Sequence, residues 1–133
     1  MTTFLEARKE ALSIIKLPDG WKRYEDGQAP LSKTTLPPWV IFTVKPQNRF
    51  HCEAGETRLR YALIEARIVN ASQLSVDLLA EKLIDMVETA KLQNIEGMSI
   101  YRDSGSYPGD MKNLKQNMNY VVRVVEWRFA FNI

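Results

Sequence analysis

The sequence has little of the chemistry that metal sites and covalent catalysts require. It contains one cysteine, Cys52, and one histidine, His51, with Glu53 beside them. A single cysteine cannot form a disulfide within the chain and is typical of a reducing compartment. Adjacent residues of an extended chain point in opposite directions, and zinc requires three or four ligands from separate segments. We therefore expect an ordinary loop here, with no metal, no cofactor and no catalytic thiol.

Excess charge and long apolar runs are also missing. The 18 basic and 16 acidic side chains leave a net charge of +2, which creates no strong field for nucleic acid or an anionic membrane. No segment approaches the roughly 20 apolar residues of a membrane-spanning helix. The 133 residues are 45% hydrophobic and 26% charged, which predicts one globular domain, residues 1–133, in the cytosol or in a soluble assembly.

The C-terminal segment carries the strongest pattern in the chain. Residues 119–133 alternate strictly, as the side chains of a β-strand do. One face is apolar except for Arg123, and the other begins apolar and ends with Glu126 and Arg128. This pattern predicts a long strand that starts inside a sheet and runs outward to water or to a partner.

Residues 57–69 predict a second strand, which we expect to pair antiparallel with the C-terminal one. A register that places Glu65 opposite Arg128 and Arg67 opposite Glu126 would make both charge pairs complementary. The same register would place the small Ala66 against a large aromatic residue of the C-terminal strand. We predict a salt-bridge ladder from these charges rather than a pair of catalytic carboxylates, because each glutamate has an arginine two residues away on its own face.

The remaining elements follow from caps and breakers. Thr3 and Glu6 form a capping box that predicts a helix ending at Pro18. Residues 21–24, 39–45 and 97–102 predict further strands, and the periodicity of residues 75–91, with Ser75 as the cap, predicts a second amphipathic helix. The fold class is therefore α+β, a small mostly antiparallel or mixed β-sheet of about four strands with two amphipathic helices packed on it.

Two polar segments are predicted to be loops, and long loops in compact domains are often functional. Residues 47–56 contain Arg49, and residues 103–118 contain Lys112, Lys115 and several glycines. Lys112, Lys115 and the neighbouring Arg102 could contact phosphate, but three scattered cations are a weak footprint for nucleic acid. The glycines lack the Gly-Lys-Ser/Thr sequence of a phosphate-binding loop. No set of catalytic groups converges, so we expect a protein that is not an enzyme.

The order of these elements resembles the tail terminator, or tail completion, proteins of long-tailed bacteriophages. The resemblance covers nearly the whole chain and is one of spacing rather than of a short motif. Tyr24 begins a Tyr-Glu-Asp-Gly segment ahead of the strand led by Pro37, and a strand directly precedes the second helix. Tyr101, Arg102 and Asp103 then precede a glycine loop and the closing strand.

The resemblance implies a subunit that assembles as a hexameric ring on a finished tail tube, ends tube polymerisation and presents a surface for head joining. It implies a homo-oligomer whose partners are the tail tube protein, a head-completion protein and DNA that passes through the channel without sequence recognition. The location would be the virion tail, after assembly in the host cytoplasm, with no membrane contact. Candidate inter-subunit, tube or channel contacts are Arg102, Lys112, Lys115, Arg49, Glu126 and Arg128. A head-tail connector, another minor tail component and a small cytosolic binding or enzyme domain remain alternatives.

Overall fold

A computed structural model describes residues 3–26, 37–47, 59–113 and 118–132. These residues form two helices and a six-stranded mixed sheet. The elements in chain order are α1 (Phe4–Ile14), β1 (Lys22–Glu25), β2 (Trp39–Pro46), β3 (Leu59–Asn70), α2 (Gln73–Thr89), β4 (Ile95–Asp103), β5 (Tyr107–Asn113) and β6 (Met118–Asn132). The α+β class is confirmed, and the sheet has more strands than the predicted four.

Both helices begin at side-chain caps. The Thr3 hydroxyl accepts a hydrogen bond from the Glu6 backbone N–H (3.2 Å), which confirms the predicted start of α1. The cap of α2 is Ser72 rather than the predicted Ser75, because the Ser72 hydroxyl accepts a bond from the Ser75 backbone N–H (3.3 Å). Both serines precede apolar positions with helical spacing, so the spacing alone does not identify the cap. The observed cap, Ser72, is the serine nearer to the end of β3.

The strands of the sheet lie in the order β1-β2-β3-β6-β4, and β5 also pairs with β6. β1 runs parallel to β2, whereas all other neighbours are antiparallel. The C-terminal strand β6 is therefore central, with β3 on one side and β4 and β5 on the other. β4 and β5 follow one another along the same side of β6, β4 beside its C-terminal half and β5 beside its N-terminal half.

The predicted loop at residues 103–118 is wrong over much of its length, because residues 107–113 form β5. Pro108 and Gly109 read as loop residues in the sequence, yet both lie in this edge strand. Proline is tolerated at an edge, where its missing N–H leaves no central ladder bond unmade. A Cβ built on Gly109 would lie 2.7 Å from a Val122 methyl group, so the glycine permits the close approach of β5 to β6.

β3 and β6 pair antiparallel as predicted, but the predicted register is wrong by two residues. Glu65 lies opposite Glu126, and Arg128 lies opposite Leu63. A shift of two residues leaves every side chain on its predicted face, so the hydrophobic pattern cannot distinguish the two registers. Core packing favours the observed register, in which Trp127 lies opposite Ile64.

One face of the sheet and the two helices enclose the main core. β2, β3 and β6 contribute alternate residues, and α1 and α2 contribute their apolar sides. The largest fully buried side chains are Trp127, Phe42, Phe129, Ile15, Ile64, Ile68, Leu83, Val40, Val76 and Val125. Arg23 of β1 also lies on this side, donates to the backbone oxygens of Leu12 (2.6 Å) and Ile15 (2.5 Å), and so caps the C-terminal end of α1.

The carboxylate of Glu10 joins α1 to the start of β4. Its two oxygens accept hydrogen bonds from the backbone N–H groups of Gln93 (2.7 Å), Asn94 (3.0 and 3.2 Å) and Ile95 (2.9 Å). Three amides converging on one carboxylate satisfy backbone donors that no strand or helix bond reaches. Sequence periodicity places Glu10 on the solvent side of α1 and gives no sign of this contact.

Replacing Glu10 with alanine should lower the free energy of unfolding by about 2 kcal/mol, because hydrogen bonds to a charged group are lost and three amides are left without their acceptor. Glu10→Gln should lose less, since its amide oxygen still accepts. Urea denaturation measures both changes, with Lys9→Gln, an exposed neighbour on the same helix, as the control. Equal stability of Glu10→Ala and Lys9→Gln would show that the contact contributes nothing.

Candidate functional site

The face of the sheet opposite the helices carries neither of the two described helices. Its residues come from β2, β3, β6 and β4, at the positions that alternate with the core residues. One end of this helix-free face is aromatic and buried, and the other end is charged and half-buried. The two ends differ because the outward positions of β6 are apolar at Val122 and charged at Glu126, and the antiparallel β3 places Val69 opposite the first and Glu65 opposite the second.

The aromatic end is a small second core. Trp39, Ile41, Val69 and Tyr120 are each less than one tenth exposed. The Trp39 ring meets the edges of Tyr24 (6.5 Å between ring centroids) and Tyr120 (6.3 Å), arrangements that aromatic pairs prefer. This cluster joins β1, β2, β3 and β6 on the side that no described helix covers.

The charged end contains two glutamates in a cross-strand row. Glu65 of β3 binds Lys45 of β2 (3.0 Å) and lies 3.9 Å from Arg67. Glu126 is its neighbour on β6, and Arg102 of β4 is the register partner of Glu126. The predicted pairing of Glu65 with Arg128 and of Arg67 with Glu126 is wrong, because the register places Glu65 opposite Glu126 and the cross-strand salt bridge of Glu65 is to Lys45 of β2.

Arg128 lies beside this row and stacks on an aromatic ring. Its guanidinium carbon is 3.9 Å from the centroid of the Tyr61 ring, a cation–π distance. The two residues form part of an open cleft of about 440 Å³ at the β4 side of the face. Its remaining lining residues are Glu96, Gly97, Ser99, Phe129 and Ala130. The cleft therefore presents one arginine and one glutamate beside apolar surface.

The structure brings together three of the six predicted contact residues. Arg102, Glu126 and Arg128 lie on neighbouring strands of the helix-free face, as the alternation of β6 predicts for the last two. Lys112 lies in β5 rather than in a loop. Lys115 and Arg49 lie outside the described residues, as do His51, Cys52 and all of the predicted loop at residues 47–56 except Gln47.

A hairpin formed by β5 and β6 continues past the end of β3. The pairing of β3 with β6 ends at Asn70 and Val121, whereas β5 pairs with β6 as far as Asn113 and Met118. The residues of β6 before Val121 thus pair with β5 alone. The hairpin is a two-stranded extension of the sheet. Its base is the part of β6 near Arg123, together with the connection between β4 and β5.

Arg123 fixes the base of this hairpin. Its side chain is 12% exposed and binds both carboxylate oxygens of Asp103 (2.9 and 2.6 Å) and one of Asp77 in α2 (3.0 Å). The Ser106 hydroxyl donates to the same Asp77 oxygen, and Ser104 exchanges hydrogen bonds with the Val124 backbone. These contacts hold the connection between β4 and β5 against α2 and β6.

The cluster shifts the ionisation of its members. Hydrogen bonds from Ser106 and Arg123 hold the pKa of Asp77 below its ordinary value of 3.8, and Arg123 does the same to the pKa of Asp103. Asp103 in turn raises the pKa of Arg123. Sequence patterns do not predict this cluster, although an arginine on the otherwise apolar face of β6 indicates a charged partner.

Within the described ranges, no group of three or more His, Cys, Asp or Glu side chains is placed to hold a metal ion. Among the same residues, no helix is long and apolar enough to cross a membrane.

Neither a protein-family model nor a curated protein sequence matches the chain. The accessible part of this face is its charged end, where Arg128, Tyr61 and the neighbouring charged side chains could contact another macromolecule.

Proposed function

We propose that this protein is a structural subunit of a long-tailed bacteriophage, which caps the finished tail tube as a ring. The observation that supports this function most is the helix-free face of the sheet, which mixes half-buried apolar and charged side chains and continues into the β5–β6 hairpin. Surfaces of this composition are typical of protein interfaces, where aromatic residues and arginine are enriched.

In the proposed ring, the helix-free face and the hairpin contact neighbouring subunits, the tube or the channel. Arg102, Glu126 and Arg128 supply charged contacts from two neighbouring strands of the sheet. A head-to-tail contact repeated six times closes such a ring and gives it two different faces. One face ends polymerisation of the tail tube protein, and the other receives the head-completion protein. DNA passes through the channel without sequence recognition.

The cleft beside Tyr61 and Arg128 favours a second candidate, a small binding domain. Its volume of about 440 Å³ is within the range of small-molecule sites, but such sites are usually enclosed and mainly apolar. This cleft is open, and its polar groups do not converge on one point. A head-tail connector or another minor tail component would use the same sheet face as the proposed terminator.

Sedimentation velocity over a wide concentration range, with and without magnesium, tests the ring. We expect a closed species near six copies, which electron microscopy should show as a ring with a central hole. Arg128→Ala should weaken this species, whereas the control Lys82→Ala on α2 should not. A protein that forms no ring and does not stop the growth of purified tail tubes would contradict the proposal.

A further inference from the structure

The outer side of β4 pairs with no described strand, and its residues are exposed from Glu96 onward except for the half-buried Met98. Ile100 is 45% exposed and Tyr101 is 42% exposed. A long unpaired edge strand with apolar side chains is a template for pairing with another chain. Natural proteins usually protect such an edge, and pairing with a further strand would protect the edge of β4.

The sequence of β4 is complementary to itself when a second copy runs antiparallel about Ser99. The register then places Glu96 of each copy opposite Arg102 of the other. Neither residue forms a salt bridge with another described residue, so both charges are available for this contact. Because the arrangement is two-fold symmetric, the complementary charge pair occurs twice.

The residues between the charges also match. Gly97 lies opposite Tyr101 in this register, and an aromatic ring across from an edge glycine covers the exposed backbone. Met98 lies opposite Ile100, which makes an apolar pair on each side of Ser99. One register therefore joins charge to opposite charge, apolar to apolar, and an aromatic ring to a glycine.

The faces of the sheet agree with this register. Glu96 and Arg102 are register partners of Ala130 and Glu126, two residues of the helix-free face of β6. The charged pair of the two copies would thus lie on one face of the joined sheet. The β4 ladder is irregular on both sides of Ser99, between Glu96 and Ser99 and between Ile100 and Arg102. In the proposed register, the irregular segment before Ser99 in one copy lies opposite the irregular segment after Ser99 in the other copy. Neither irregular segment therefore has to pair with a regular one.

We propose that two copies of this chain pair through β4, antiparallel and centred on Ser99, to form a sheet that is continuous across both molecules. This contact goes beyond the proposed ring and does not depend on it. A ring closed by head-to-tail contacts joins two different surfaces of each subunit, whereas this contact joins one surface to itself. The pairing covers the apolar edge of the free protein.

A cysteine at residue 99 tests the two-fold axis directly. Directly opposite residues of antiparallel strands have Cα atoms roughly 4.5 to 5.5 Å apart, within the range that a disulfide spans. In a Cys52→Ser background, Ser99→Cys should form a covalent dimer on mild oxidation, which a non-reducing gel detects. Glu96→Cys is the matched control, because two copies of residue 96 would lie about 20 Å apart.

The charges supply a second, independent test. Glu96→Arg places arginine opposite arginine, and Arg102→Glu places glutamate opposite glutamate, so each variant alone should dimerise at least about tenfold more weakly. A mixture of the two variants restores both opposite-charge pairs and should form the mixed dimer. Sedimentation equilibrium measures all three, and circular dichroism checks that each variant is folded.

The pairing is overturned if Ser99→Cys crosslinks no better than Glu96→Cys, or if the mixed variants do not associate better than either variant alone. If rings form but residue 99 does not crosslink, the ring function is supported and the β4 pairing is contradicted. If residue 99 crosslinks but the protein makes no ring and caps no tube, the β4 pairing is supported and the ring function is contradicted.

Discussion

Replacing Trp127 with alanine should lower the free energy of unfolding by about 3 to 5 kcal/mol, the cost of truncating a large buried aromatic side chain. Trp127 is 1% exposed and lies in the central strand, between Ile64 of β3 and Ile100 of β4. Urea denaturation at one fixed protein concentration measures the change, because association would otherwise add to the apparent stability.

The neighbouring residue provides the control for this prediction. Glu126 lies on the opposite face of the same strand, directly across from Glu65. Like charges opposite one another are unfavourable, so Glu126→Gln should leave stability unchanged or raise it by up to about 0.5 kcal/mol. A loss below about 1 kcal/mol in Trp127→Ala would mean that the core around β6 is not packed as described.

The sequence predicts which side of each strand is buried far better than it predicts which residues lie opposite one another. Alternation in β6 correctly assigns Val125, Trp127 and Phe129 to the core. A register error of two residues leaves that alternation unchanged. Only packing against β2, β4 and the helices distinguishes the correct register from the predicted one. A single-sequence pattern contains no information on those distant partners.

Two further differences between the prediction and the structure arise from contacts between residues that are far apart in the chain. Gly109 suggests a loop in isolation, but it is required where β5 meets Val122 of β6. Asp77 meets Arg123, 46 residues away, and helical periodicity records only that Asp77 is polar. For the candidate site, alternation places Glu126 and Arg128 on one face, whereas the position of Arg102 beside them depends on the pairing of β4 with β6.

Arg123→Met should lower the free energy of unfolding by about 2 kcal/mol at neutral pH, because it removes the hydrogen bonds of the guanidinium to the carboxylate of Asp103. Methionine keeps much of the length of the side chain, so lost packing contributes little. Arg67→Met is the control: Arg67 is 53% exposed and its closest carboxylate oxygen is 3.9 Å away, so its removal should cost less than about 0.5 kcal/mol.

The dependence on pH separates the charge contacts of Arg123 from its shape. The pKa values of Asp77 and Asp103 are depressed in the folded protein, so their contribution to stability is complete above the ordinary value of 3.8 and disappears as the pH falls through the lower folded values. In Arg123→Met the part of this depression that Arg123 causes is lost, whereas the Ser106 hydrogen bond to Asp77 and the Gly105 backbone hydrogen bond to Asp103 remain. The stability difference between wild type and variant should therefore shrink as the pH falls below 3.8.

A double-mutant cycle of Arg123→Met with Asp103→Asn isolates the direct contact. The two changes should be non-additive, with a coupling energy of about 1 to 3 kcal/mol at neutral pH, since each removes one side of the same bidentate pair. Hydrogen exchange of the Val124 amide, which donates to Ser104, should accelerate in Arg123→Met if the base of the hairpin loosens. An additive cycle, together with a pH-independent stability difference, would show that Arg123 acts by packing alone.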